Sequence, residues 1–154
     1  MLKSLTALLC GTLLASCTLL ATLAVPAWCA EPDWVLLDEN LDSRFYFDQS
    51  AKKPAQAIVR VRTRVVYTDA GKADALKILG GSKKFDTLFE SRYLHDLDCR
   101  KEQSRLLEAS HLDGEGVTLK STDLASATEW EEIPPYARMG QVLEKVCTPP
   151  PAGE

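Results

Sequence analysis

The segment AIVRVRTRVVYT, residues 57–68, constrains the fold more than any other part of the chain. Its apolar residues and arginines alternate with a period of two, the period at which the side chains of a β-strand point to opposite faces of a sheet. The pattern predicts a strand with one buried face and one face in water. The first face carries Val59, Val61, Thr63, Val65 and Tyr67, and the second carries Arg60, Arg62 and Arg64.

Five further segments are strand candidates. DWVLLDEN and SRFYFDQS predict a hairpin before this strand, and SRYLHDLDC, SRLLEASHLD and VTLKST predict three strands after it. The DGEG of residues 113–116 is a strong turn signal before the last of them. We therefore expect about six strands in antiparallel order.

Helical patterns occur in three places. DAGKADALKILGG has an acidic start, apolar residues at helical spacing and a Gly-Gly stop, and KKFDTLFE indicates a short helical turn. Near the end, two prolines precede an apolar stripe of Tyr136, Met139, Leu143 and Val146. Together these elements predict an α+β domain, an antiparallel sheet of about six strands packed with a C-terminal helix and one or two short helices.

The N-terminus predicts export. MLK supplies one positive charge, and an uncharged, largely apolar run then continues through residue 25, which is the layout of a secretory signal. Val25 and Ala27 suit signal peptidase and predict a signal peptide over residues 1–27, with cleavage between residues 27 and 30. LLASC also resembles a lipobox, which would make Cys17 a lipidated first residue. A run of about 20 apolar residues could instead stay uncleaved as a membrane anchor.

The chain beyond the signal has room for one domain. About 125 residues remain, too few for two domains, and we expect a single domain over residues 31–148 with a disordered, proline-rich tail over residues 149–154. The full chain has a formal charge of −4, and loss of Lys3 with the signal brings it to −5. Acids and bases are well mixed, and the absence of a basic block argues against nucleic acid as the partner.

Cys99 and Cys147 are the cysteines that remain if cleavage falls beyond Cys29. An even pair in an oxidising compartment is most simply a disulfide, and this one would hold the last helix on the sheet. A metal site or a nucleophilic cysteine has little support as an alternative to the disulfide. A metal site requires three or four ligands, and a nucleophilic cysteine requires a neighbouring base.

His95 and His111 are the two histidines of the chain. Regular strand pairing would place them about 13 Å apart, too far to share a metal ion, and we interpret both as surface residues. The sequence contains no glycine-rich phosphate loop, no nucleophile elbow and no carboxylate pair fixed at a catalytic separation. We therefore predict no catalytic residue, no metal, no cofactor and no enzymatic activity.

Arg60, Arg62 and Arg64 are the candidate binding residues. Three arginines on one strand face repel each other unless acids on neighbouring strands or an anionic partner face them. One interpretation is a solvated face with cross-strand ion pairs. The other is a docking surface for an acidic ligand or protein at the cell envelope. The sequence leaves both open.

Several features occur in a recognisable order along the chain: a tryptophan before the first strand, FYFD, Asp98 and Cys99 followed by basic residues through Arg105, WEEIPP at 130–135, and a final helix that closes on Cys147. In this order they resemble the surface-adhesin protein E-like family over nearly the whole mature chain. The resemblance implies an exported, non-enzymatic binding module of the envelope of a Gram-negative bacterium, in the periplasm or at the cell surface. A structural or accessory periplasmic protein without a host ligand is the alternative.

Overall fold

Seven strands form one antiparallel sheet in the computed structural model, in which residues 31–51 and 57–147 are described. Each of the first six strands pairs with the next along the chain, and the last, short strand pairs with the start of the fifth. The predicted α+β class and the six predicted strands are confirmed. The strands are β1 (Trp34–Glu39), β2 (Ser43–Asp48), β3 (Ile58–Tyr67), β4 (Leu88–Asp98), β5 (Gln103–Asp113), β6 (Thr118–Asp123) and β7 (Glu131–Glu132).

Among the described residues, two α-helices accompany the sheet, α1 (Asp69–Ile78) and α2 (Arg138–Cys147), together with 3-10 turns at Gln49–Ala51 and Lys83–Phe85. The Thr68 side chain caps α1 by accepting a hydrogen bond from Gly71 N at 3.2 Å. Beyond the helix, Gly80 and Gly81 have φ angles of 79° and 64°, a conformation that glycine adopts without steric cost. The Gly-Gly stop therefore ends α1 as predicted.

The apolar face of β3 lies beneath α2. Val59 and Val61 are 1% and 0% exposed, and they share a core cluster with Val142 and Val146 of the helix. Each buried valine contributes about 1.5–3 kcal/mol relative to an exposed one, so this contact helps to hold the helix on the sheet. The other buried members of the cluster are Phe45, Phe47, Leu97 and Ile133.

The predicted stripe of α2 is wrong at one position. Tyr136 precedes the helix, which begins at Arg138, and its side chain is fully exposed. Val142 is the buried residue that the prediction missed, while Met139 and Leu143 pack against the core as expected. Two prolines precede Tyr136, and the helix begins only at Arg138. Tyr136 is therefore not part of the helix, and its ring does not lie on the apolar stripe.

The Cys99–Cys147 disulfide joins the end of β4 to the last residue of α2, with the two Cα atoms 5.5 Å apart. This is the link between sheet and helix that the sequence led us to expect. It closes a loop of 48 residues, for which the chain-entropy model gives a stabilisation of roughly 4 kcal/mol.

Several predictions fall outside the described residues. These are the signal peptide over residues 1–27, the lipidation of Cys17 and the tail over residues 149–154. They stay predictions. Within residues 31–51 and 57–147, no helix has the length and apolar character needed to cross a membrane.

Candidate functional site

The three arginines of β3 lie on the face of the sheet opposite the helices. Their neighbours Val59, Val61 and Thr63 point into the core, so the alternation predicted from the sequence places Arg60, Arg62 and Arg64 outward. Both α1 and α2 pack on the other face, and no helix within residues 31–51 and 57–147 covers the arginines.

Buried carboxylates on the neighbouring strands lie beneath the guanidinium groups. Asp96 of β4 is opposite Arg60 and accepts two hydrogen bonds from it, at 2.8 Å from Nε and 3.2 Å from Nη2. Arg105 of β5 donates to the same carboxylate at 3.2 Å. On β2, Asp48 lies 3.6 Å from Arg62 Nη1. The cross-strand ion pairs considered from the sequence are therefore present.

Glu90 resolves a conflict between like charges. The register places Arg64 of β3 directly opposite Arg92 of β4, an arrangement that is unfavourable by itself. The Glu90 carboxylate accepts a 2.6 Å hydrogen bond from Nε of each arginine, and its side chain is only 3% exposed. One buried acid thus bridges two guanidinium groups.

Five arginines and three acids make up what we call the arginine cluster. The acids are buried, whereas the arginine side chains are 25–47% exposed, so the layer that meets solvent is made of guanidinium groups. Five positive charges against three negative ones leave an excess of two. The arginine cluster consists of Arg60, Arg62, Arg64, Arg92 and Arg105 with Asp48, Glu90 and Asp96.

Aromatic rings flank the arginine cluster. The Arg64 guanidinium carbon lies 5.9 Å from the ring centroid of Trp34 and 5.6 Å from that of Tyr46. On the other side, the Arg105 guanidinium carbon lies 5.2 Å from the Trp130 ring. Cation–π contacts of this kind hold the guanidinium planes in place and add apolar area beside the charge.

The same face becomes acidic toward β6. Glu108 of β5 is paired directly with Asp123 of β6, and both side chains are exposed. The positive excess is therefore confined to the part of the face that β3 and β4 form with the start of β5.

Ion pairing also shifts the pKa values of Asp96 and Arg60. Burial by itself would raise the pKa of the Asp96 carboxyl, but hydrogen bonds from Arg60 and Arg105 outweigh it and the net pKa is lowered. The hydrogen bond to Asp96 likewise raises the pKa of Arg60. The carboxylate stays ionised at neutral pH and keeps both arginines in place.

The histidines are not surface residues, so that interpretation is wrong. His111 is 8% exposed, and its Nδ1 lies 2.8 Å from the buried Ser91 hydroxyl. His95 is partly buried on the helix-covered face, where burial lowers its pKa to about 4. The two lie four pairs apart on the register of β4 and β5, as regular pairing predicts. No group of acids, histidines and cysteines in the described part of the chain could hold a metal ion.

Sequence reasoning missed the members of the cluster outside β3. Arg92 and Arg105 were not singled out, nor were the acids that pair with them. A signal was present, because Glu90, Arg92 and Asp96 alternate with core residues of β4 as the arginines do on β3. Reading that strand with a period of two would have placed Glu90, Arg92 and Asp96 together on one face, although not opposite particular arginines.

Comparison with known families agrees with this architecture. The family model described as surface-adhesin protein E matches residues 34–148, which includes every strand and both α-helices of the described part of the chain. The chain belongs to the surface-adhesin protein E family. Membership in the surface-adhesin protein E family indicates an adhesin-like, exported surface protein. No curated protein and no solved structure matches the chain.

Proposed function

We propose that this protein is a non-enzymatic binding module of the bacterial cell envelope, and that its arginine cluster docks an acidic surface of a partner protein. The observation that carries the proposal is the uncovered layer of guanidinium groups over buried carboxylates. A partner that approaches this face meets positive charge first, because the compensating acids lie beneath it.

The geometry supports carboxylates as the groups recognised. A guanidinium group is planar and offers parallel N–H donors that match the two oxygens of a carboxylate. In the arginine cluster each acid holds its arginines from below, so their side chains are ordered before a partner binds. Ordering in advance lowers the entropy cost of association.

The aromatic residues favour a protein as the partner. Trp, Tyr and Arg are the residues most enriched at the energetic centres of protein interfaces. Trp34 and Tyr46 contact Arg64, and Trp130 contacts Arg105, so all three residue types occur together on this face. Acidic side chains of a partner would contact the guanidinium groups while its apolar groups pack on the rings.

A matched pair of double variants tests the docking surface. Arg62→Gln with Arg92→Gln removes two partly exposed positive charges from the cluster, whereas Lys83→Gln with Lys84→Gln removes two from the exposed turn before β4. We expect the purified, disulfide-bonded protein to bind a glutamate-rich peptide in a salt-sensitive manner. The arginine variant should weaken binding at least tenfold, and the lysine variant less than twofold.

Equal losses in the two variants would show that only net charge matters and would contradict the docking surface. Binding to heparin but not to the peptide would contradict a protein partner. Location is tested separately, by protease treatment of intact cells. Removal of the protein indicates exposure at the cell surface, and its survival would favour an accessory periplasmic role.

A further inference from the structure

A cavity of about 220 Å³ lies where α1 crosses the helix-covered face of the sheet, on the side opposite the arginine cluster. Tyr67, Tyr93 and His111 form its floor, and Ala75 and Leu79 of α1 form part of its wall. A cavity of about 150 Å³ accommodates benzene, whereas drug-sized ligands need about 300 Å³ or more. The volume is therefore suited to one small ring compound.

The start of α1 is fixed against the β1–β2 turn. The Thr68 hydroxyl donates to the Leu41 carbonyl at 2.7 Å, and the Thr68 backbone N donates to the Asp42 carbonyl at 2.9 Å. A Cβ atom at Gly71 would lie only 1.9 Å from the same oxygen, so a glycine is required for this approach. One turn later, the small Ala75 side chain leaves space above the sheet. The cavity is thus built into the packing and exists before a ligand enters.

The floor of the cavity carries a chain of hydrogen bonds. Tyr67 OH donates to Ser91 Oγ at 2.9 Å, and Ser91 Oγ lies 2.8 Å from His111 Nδ1. Burial, with a smaller effect of Lys120, lowers the pKa of His111, so its ring is neutral at pH 7. In the tautomer that carries the ring proton on Nε2, the Ser91 hydroxyl accepts from Tyr67 and donates to His111 Nδ1, so the chain continues to the ring.

His111 thus has a donor to offer. None of the residues in 31–51 and 57–147 accepts a hydrogen bond from His111 Nε2. An oxygen atom of a ligand could accept it and complete the chain that begins at Tyr67. A ring N–H that lines the cavity and gains a ligand oxygen as its partner favours binding of an oxygen-bearing molecule over a hydrocarbon of the same shape.

The mouth of the cavity selects against anions. Asp42 and Asp74 both line it and are exposed. The Asp74 carboxylate is paired with Lys77 at 2.7 Å, so the net negative charge that disfavours an anion comes from Asp42. Ile78 also lines the cavity, and its side chain is 86% exposed, so an apolar surface is available where a ligand would enter.

We propose that this cavity binds a small neutral ring compound with one hydroxyl or carbonyl oxygen. The ring packs against Ala75 and Leu79, and the oxygen accepts a hydrogen bond from His111. The site does not depend on the proposed docking function, because it lies on the other face of the sheet and uses none of the residues of the arginine cluster.

Titration of p-cresol into the ¹⁵N-labelled, disulfide-bonded protein tests the proposal. We expect saturable shifts of the backbone amide signals of Gly71, Ala75 and Leu79. Toluene, which lacks the oxygen, and benzoate, which is an anion, should bind at least fivefold more weakly. Shifts that do not saturate, or that centre outside α1 and the cavity floor, would overturn the site, and equal affinity for toluene would overturn the role of His111.

Two leucine substitutions on α1 form a matched pair. Ala75→Leu fills the cavity and should weaken p-cresol binding at least tenfold, whereas Ala73→Leu adds the same group on the exposed side of the helix and should change it less than twofold. Nuclear Overhauser effects between the p-cresol ring and the side chains of Ala75 and Leu79 decide the matter in the unmodified protein, even if Ala75→Leu does not fold. Their absence at saturating p-cresol would rule the site out.

Discussion

Arg60 and Asp96 face each other on neighbouring strands, with Arg60 Nε 2.8 Å from an Asp96 carboxylate whose side chain is only 8% exposed. The arginine side chain is 47% exposed, so the two partners of one ion pair have different environments. If an acid of the cluster is removed, neighbouring guanidinium groups repel each other without a counter-charge. If an arginine is removed, the carboxylate still accepts a hydrogen bond from a second donor. The acids are therefore the more sensitive members of the cluster.

Glu90→Gln should destabilise the protein more than any single arginine substitution in the cluster. The substitution leaves Arg64 and Arg92 opposite each other without a counter-charge, and we expect the free energy of unfolding to fall by about 2–4 kcal/mol. Arg62→Gln should cost less than about 0.5 kcal/mol, because Arg62 is partly exposed and Asp48 keeps hydrogen bonds from Asp33 N and from Ser50. Urea denaturation of both variants provides the measurement, and equal midpoints would contradict the bridging role of Glu90.

Stability should fall as the pH is lowered from about 6.5 to 4. Burial lowers the pKa of His95 to about 4, below the ordinary histidine value of about 6.5, so the unfolded state binds the proton more readily. Above the pKa of His95 in the unfolded state, the ring is neutral in both states and stability is at its maximum. As the pH falls from that value toward the pKa of His95 in the folded state, the free energy of unfolding decreases by up to about 1.4 kcal/mol per pH unit. The lowered pKa values of His111 and, at still lower pH, Asp96 act in the same direction.

His95→Gln tests the histidine contribution. The variant lacks one of the titrating rings, so its urea midpoint should fall less between pH 7 and pH 4.5 than that of the unmodified protein. Parallel pH profiles for the two proteins would show that His95 is already protonated in the fold, or that it stays neutral in both states.

Loss of the disulfide should loosen α2 without unfolding the sheet. We expect Cys147→Ser to lower the free energy of unfolding by about 2–5 kcal/mol and to leave Cys99 free to form an intermolecular disulfide. The double variant with Cys99→Ser should be equally destabilised but monomeric under the same conditions. Thiol counting on the denatured, unreduced mature protein tests whether the Cys99–Cys147 disulfide is present. Two reactive thiols would be incompatible with this disulfide.

Gly71→Ala should destabilise the protein although it introduces a better helix former. The added Cβ atom would meet the Asp42 carbonyl oxygen at 1.9 Å, so α1 must shift away from the turn at a cost of about 1–3 kcal/mol. Gly114→Ala is the control, because its Cβ would approach no atom closer than 3.9 Å. Thermal unfolding of the two variants compares them, and a stabilised Gly71→Ala variant would contradict the close approach.

Processing should follow the ordinary secretory route. We expect the mature N-terminus between Trp28 and Glu31, and Cys17→Ser should leave both the mature mass and the location of the protein unchanged. Intact mass spectrometry of the protein purified from its native membrane and soluble fractions measures both. Loss of membrane attachment in the Cys17→Ser variant would establish the lipoprotein alternative instead.

The sequence by itself determined the elements and their outward and inward faces. The alternation over residues 57–68 defined β3 and its two faces, because a period of two is a property of the strand and does not depend on its neighbours. The disulfide was predictable for a different reason, since the expected cleavage beyond Cys29 leaves two of the five cysteines, and two cysteines in an oxidising compartment have few alternatives. β7 was missed because two residues are too few to show a period.

Only the tertiary structure decided which groups meet. Asp96 neutralises Arg60 because of the register between β3 and β4, and a slip of one residue would send its carboxylate into the core. His111 is buried with its Nδ1 hydrogen-bonded to Ser91, 20 positions away, a contact that no local pattern reveals. The cavity beneath α1 likewise depends on the approach of Gly71 to Asp42, since helix position is set by side chains from distant parts of the chain.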